Sequence, residues 1–116
     1  MSKMDELALS IKMTVIAKED KGATLGKGVI ALLEGVRDDG SLNKAAKNLK
    51  MAYSKAWRIV KETEEGFGFL LIDRDGARGS TLTAEGKRLL EIYELLEKEI
   101  DDYANKRFAE EVAKID

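Results

Sequence analysis

Apolar positions along the chain fall into a short alternating run, three helical stripes in close succession, a glycine-rich break and one long final stripe. Residues 7–17, LALSIKMTVIA, alternate loosely around Ile11, Val15 and Ile16 and predict a strand. The charged, glycine-containing stretch from Lys18 to Lys27 predicts a connection. From Gly26–Gly28 onward, Val29, Ile30, Leu32, Leu33 and Val36 recur at helical spacing, and Arg37-Asp38-Asp39-Gly40 marks the stop. A second helix is predicted over 41–49, with Ser41 as N-cap and Leu42, Ala45, Ala46 and Leu49 on one face. Beyond Lys50 to Ala52, the residues Tyr53, Ala56, Trp57 and Val60 repeat the i, i+3, i+4, i+7 pattern of a third helix. Two short amphipathic segments around a tight turn predict a helix-turn-helix unit over 41–65. Ala45 or Ala46 supplies the small side chain that a close helix crossing needs.

The next segment changes character. Phe69-Leu70-Leu71-Ile72 predicts a strand, Asp73 to Ser80 a glycine-containing tip carrying Arg74 and Arg78, and Thr81-Leu82 a returning strand. A hairpin over 69–82, directly after the third helix, stands where a wing would. Thr83 to Asp116 contains no proline and one glycine, Gly86, and predicts a single long helix capped by Thr83. At about 30 residues it would extend about 45 Å. Its stripe runs through Leu82, Leu89, Tyr93, Leu96, Ile100 and Tyr103, then shifts to Ala104, Phe108, Val112 and Ile115, widened by Leu90, Ile92 and Leu95. So small a domain cannot cover all of it, so Leu89, Tyr93, Leu96, Ile100 and Tyr103 are expected to meet a second chain. The expected fold is mostly α with a small β component: a winged helix-turn-helix domain over 1–82 and a long C-terminal dimerisation helix over 83–116.

Composition narrows the chemistry. A length of 116 residues, 44% hydrophobic and 36% charged, describes one soluble globular domain. The absence of cysteine and histidine removes disulfides, thiol chemistry, imidazole bases and almost every zinc or copper site. Nothing else composes a nucleophile and base, so no enzyme, cofactor or metal is expected. The N-terminus lacks the features of a secretory signal and no apolar run reaches bilayer length, so no membrane partner is expected and the cytoplasm is the expected location. The net charge of −2 is unevenly spread. Residues 1–40 carry 6 basic and 7 acidic side chains, residues 41–82 carry 8 and 5, and residues 83–116 carry 6 and 10. Only the middle third is positive, and any contact with an anionic polymer belongs there.

On the third helix the direction opposite the apolar stripe holds Ser54, Lys55, Arg58, Ile59 and Glu62. In a helix-turn-helix this face enters the major groove of double-stranded DNA. Lys55 and Arg58 can donate to guanine, Ser54 to a base or phosphate, and Ile59 can touch a thymine methyl, with Lys61 nearer a phosphate. Asn43, Lys44 and Lys47 decorate the outer side of the preceding helix, where backbone N–H groups near Ser41 also favour phosphate. Arg74 and Arg78 are candidates for phosphate or minor-groove contact. The plainer reading makes these a solvated face and a hairpin tip neutralised by Asp73 and Asp75. Trp57 reads as core, and the acidic cluster Glu62, Glu64 and Glu65 as the solvated end of a helix. The competing function is a winged-helix module that binds protein rather than DNA.

Two stretches carry a family resemblance. Gly40-Ser41-Leu42-Asn43-Lys44-Ala45-Ala46-Lys47-Asn48-Leu49 followed by Met51-Ala52-Tyr53-Ser54-Lys55-Ala56-Trp57 resembles the N-terminal domain of the molybdate-dependent transcriptional regulators, the ModE family. Leu82-Thr83-Ala84-Glu85-Gly86-Lys87-Arg88-Leu89-Leu90 is similar to that family's motif at the start of its long helix, and LysR-type regulators share a weaker form of both. The resemblance spans about residues 26–100. It implies a sequence-specific winged-helix regulator with the third helix in the major groove, a homodimer formed through the long helix, and targets among molybdenum-related genes. Lys50 stands where the family has a turn glycine, Ala52 where it has a capping serine, and the wing is poorer in glycine. Family members that sense molybdate carry further oxyanion-binding domains, for which this sequence offers no pocket. Either a ligand sensor is absent, or it is expected on a separate partner or on chain not included in this sequence.

Overall fold

The computed structural model describes residues 3–19, 22–74 and 79–114. After a 3-10 turn at Lys3–Glu6 come β1 (Val15–Ile16), β2 (Thr24–Leu25), α1 (Lys27–Asp39), α2 (Leu42–Asn48), α3 (Tyr53–Phe67), β3 (Ile72–Arg74), β4 (Ser80–Leu82) and α4 (Ala84–Ala113). β1 and β2 pair antiparallel, as do β3 and β4, the latter in register Ile72 with Leu82 and Arg74 with Ser80. The core is where the three helical stripes converge. Val29, Ile30, Leu32, Leu33 and Val36 of α1, Leu42, Ala45 and Ala46 of α2, Ala56 and Val60 of α3, and Leu90 and Tyr93 of α4 are buried together with Leu25, Leu71 and Ile72.

Small residues set the closest approaches. A Cβ on Gly35 of α1 would run into the Ala45 methyl of α2, so it is Ala45, opposite a glycine, that lets these helices cross tightly. A Cβ on Gly86 would strike the Leu71 carbonyl oxygen, which fixes the first turn of α4 against the base of the wing hairpin. Helix ends follow local chemistry. Ser41 Oγ accepts from the Lys44 amide and Thr83 Oγ1 from the Gly86 amide, the N-caps expected from sequence. Gly40 and Gly68 close α1 and α3 at positive φ, where a glycine carries no Cβ penalty.

The N-terminal segment departs from expectation. Instead of a strand over 7–17, only Val15–Ile16 pairs, and its partner Thr24–Leu25 lies in the stretch read as a connection. Residues 7–14 form no regular element and run antiparallel along α4. The Tyr93 hydroxyl donates to the Met13 carbonyl (2.7 Å), and the Asn105 side-chain amide exchanges two hydrogen bonds with the Leu9 backbone. The Leu9 amide and carbonyl and the Met13 carbonyl are thus met by side chains of a helix rather than by a neighbouring strand. Val112 is buried near the far end of α4. Among the described residues no helix is long and apolar enough to cross a membrane.

Candidate nucleic-acid interface

The turn between α2 and α3 sets the geometry of the outward face. α2 ends with the Lys50 amide donating to the Lys47 carbonyl and the Met51 amide to the Ala46 carbonyl, a Schellman arrangement that needs a left-handed residue at Lys50. Lys50 adopts it, with φ 55°, the one non-glycine residue at positive φ among those described. Ala52 then begins α3 without any side-chain cap. Glycine at position 50 would relieve the left-handed backbone, and serine at position 52 would supply the missing cap.

From this turn α3 points Ser54, Lys55, Arg58 and Lys61 into solvent, and α2 presents Asn43, Lys44 and Lys47 beside them. Ser41 is half-buried and its Oγ accepts from the Lys44 amide as the cap, which leaves its O–H able to donate to an anion. Arg58 Nη1 lies 3.5 Å from Glu62, an exposed i, i+4 pair worth roughly 0.5 kcal/mol that a phosphate can replace. Two assignments on this helix change. Ile59 does not project outward; it is half-buried against the core, because β2 and residues 22–24 cover that side of α3. Tyr53, expected in the core stripe, is 44% exposed and stands beside Ser54 at the helix start, since α2 ends before it can be covered. Leu49 is likewise exposed.

The wing is held to both sides of the helix-turn-helix. Glu64, read as solvated, is only 6% exposed, and its Oε2 accepts from the amides of Leu71 (2.7 Å) and Ile72 (3.2 Å). On the other side the Ser80 amide donates to the Gly40 carbonyl (2.9 Å). Thr83 ties back to the hairpin through its amide to the Leu71 carbonyl and its hydroxyl to the Leu70 carbonyl. Trp57 is half-buried against the core as expected, yet its ring also carries the Arg74 guanidinium, 3.4 Å from the ring centroid. Arg78 lies outside the described residues.

On α4 the stripe divides. Tyr93 is 1% exposed and its hydroxyl is bonded to the Met13 carbonyl, so it is not available to a second chain, whereas Leu89 is half-buried against the core and lines an open cleft with Val15, Ile16, Phe67 and Phe69. Leu96, Ile100 and Tyr103 are exposed, as is Leu95. Ala104, Phe108 and Val112 are partly or fully covered.

Comparison with known proteins fits this geometry. Residues 29–87 match the family of bacterial regulatory helix-turn-helix proteins of the lysR type. The chain is 34% identical over 73 residues to the transcriptional regulator ModE of Haemophilus influenzae, covering 60% of this chain and 29% of that protein. It is 32% identical over 71 residues to the DNA-binding transcriptional dual regulator ModE of Escherichia coli K12, 58% of this chain and 27% of that one. Over 84 residues it is 34% identical to the molybdenum transport protein ModE of Azotobacter vinelandii, 69% of this chain and 31% of that one. It thus spans less than a third of these relatives. The crystal structure of a CbnR_DBD–DNA complex superposes with a TM-score of 0.54 at 25% identity, covering 76% of this chain and 95% of that one. The described residues form four α-helices, two small hairpins and the matched helix-turn-helix, and the chain belongs to the lysR family of bacterial regulatory helix-turn-helix proteins.

Proposed function

We propose that the chain is a sequence-specific, DNA-binding transcriptional regulator that acts as a homodimer. The observation that carries this is the exposed polar face of α2 and α3, where Lys44, Lys47, Lys55, Arg58 and Lys61 stand together in the one net-positive third of an acidic chain. The N-terminal half of α3 enters the major groove. Lys55 and Arg58 read base edges, Ser54 reads a base or phosphate, and Asn43, Lys44, Lys47, Lys61 and the amides at Ser41 grip the backbone. The Tyr53 hydroxyl joins them at the helix start. Arg74 follows the backbone from the wing, with Arg78 assigned to the same contact from sequence.

Leu95, Leu96, Ile100 and Tyr103 form the apolar seam for the second copy. A twofold pair would set its two α3 helices on successive major-groove turns, about 34 Å apart. The names of the ModE relatives make operators of molybdenum-transport genes the first duplexes to test.

A polarisation titration of the full chain with such duplexes, at two salt concentrations, tests the reading. Binding that weakens steeply with salt supports it. Arg58→Ala is expected to lose discrimination between operator and scrambled duplex while its circular dichroism stays unchanged. Retained discrimination would show that α3 does not read sequence. Leu96→Lys with Ile100→Lys is expected to halve the mass measured by light scattering, and an unchanged mass would refute the seam.

A further inference from the structure

The geometry points to Trp57 as a positioning residue for DNA: its ring holds the Arg74 guanidinium flat at the base of the wing, so that Arg74 and Lys61 meet backbone phosphates as one clamp. This rests on the proposed DNA-binding function. Five arginines are described, and four of them, Arg37, Arg58, Arg88 and Arg107, stand within ion-pair distance of a carboxylate. Arg74 instead lies on an aromatic face. A guanidinium stacked this way keeps its N–H edge free, in the plane suited to bidentate phosphate binding.

The platform itself is rigid. Trp57 packs against the core on α3, and Glu64, two turns further on the same helix, grips the amides that begin β3. Trp57 and Arg74 are therefore fixed relative to each other from both ends of the short connection. Lys61, one turn after Trp57, lines the same cleft with Leu70, Ile72 and Asp73. The Arg74 side chain so placed loses less rotamer freedom on meeting a phosphate than a free wing arginine would. Lysine cannot replace it, because an ammonium neither stacks nor forks.

The test uses the full chain and two fluorescein-labelled duplexes of about three helical turns, one selected for tight binding and one scrambled. Arg74→Lys changes only an exposed side chain and keeps the charge. It is expected to weaken binding to both duplexes by about 3–10-fold, alike because phosphate contacts carry no sequence information. Trp57→Phe should retain most of the affinity, and Trp57→Leu should match Arg74→Lys. Combining Trp57→Leu with Arg74→Gln should be no worse than Arg74→Gln alone. Because Trp57 is the sole tryptophan, its emission should respond to duplex in the wild type and respond less in Arg74→Gln. Wild-type affinity in Arg74→Lys, or additive losses in the double variant, would overturn the proposal while leaving DNA binding intact. A wild type that binds neither duplex would instead overturn the function on which it rests.

Discussion

Replacing Glu64 by alanine tests how the wing is attached. The carboxylate is 6% exposed and accepts two amide hydrogen bonds, from Leu71 at 2.7 Å and Ile72 at 3.2 Å, both on buried residues. Removing it strands two N–H groups where water has poor access. Each orphaned donor costs about 1–3 kcal/mol, offset in part because a carboxylate no longer has to be desolvated. The net loss should be about 3 kcal/mol. For a domain of this size that corresponds to a fall in Tm of roughly 10 °C. Glu64→Gln keeps a neutral acceptor and should lose about 1 kcal/mol, since a charged acceptor makes bonds about twice as strong. Calorimetry and urea unfolding give the energies, and hydrogen exchange at the Leu71 and Ile72 amides gives the site. A Glu64→Ala variant within about 0.5 kcal/mol of wild type, with those amides still protected, would refute the reasoning.

Further outcomes follow from neighbouring geometry. Gly86→Ala should destabilise by about 2 kcal/mol or more in a thermal melt, because the added methyl meets the Leu71 carbonyl and neither backbone can yield cheaply. Lys50→Gly should stabilise by up to about 1 kcal/mol by relieving the left-handed turn, less the entropy glycine loses on folding, and Ala52→Ser by about 1 kcal/mol by capping α3; urea unfolding measures both. The Glu34 carboxyl of α1 is pushed up from 4.5 to about 7, first by burial and then by its hydrogen bond with and the charge of Glu94 on α4, with Glu97 adding to the rise and Arg37 opposing it. A folded-state value above the unfolded one means that this contribution is complete below about pH 4.5 and is lost as pH rises through about 7. Glu34→Gln should therefore flatten the decline of Tm over that window and leave the variant more stable than wild type at pH 8. Parallel Tm profiles would contradict the assignment.

The helix-turn-helix was legible because its information is local. Leu42, Ala45 and Ala46, then Ala56 and Val60, carry the period, and Ser41 and Thr83 announce the helix starts. What escaped depends on partners distant in sequence. Glu64 looks like any acidic residue near a helix end until Leu71 and Ile72 fold back onto it. Tyr53 satisfies the apolar spacing, but at the start of α3 its side chain is left exposed. The alternation at 7–17 is real, yet most of that segment finds the flank of α4, through Asn105 and Tyr93, instead of another strand. Tyr93 and Leu89 share a heptad-like series with Leu96 and Ile100. Periodicity cannot tell the turns of α4 that face their own domain from those that extend beyond it.

Selection of duplexes from a random pool by the 116-residue chain tests the central claim most directly. Enrichment of one palindromic motif, with half-sites about 10 base pairs apart centre to centre and binding that falls steeply with salt, is the predicted result. Recovery of no motif, or of the same motif by a variant with Lys55 and Arg58 both replaced by alanine, would contradict the placement of α3 in the major groove.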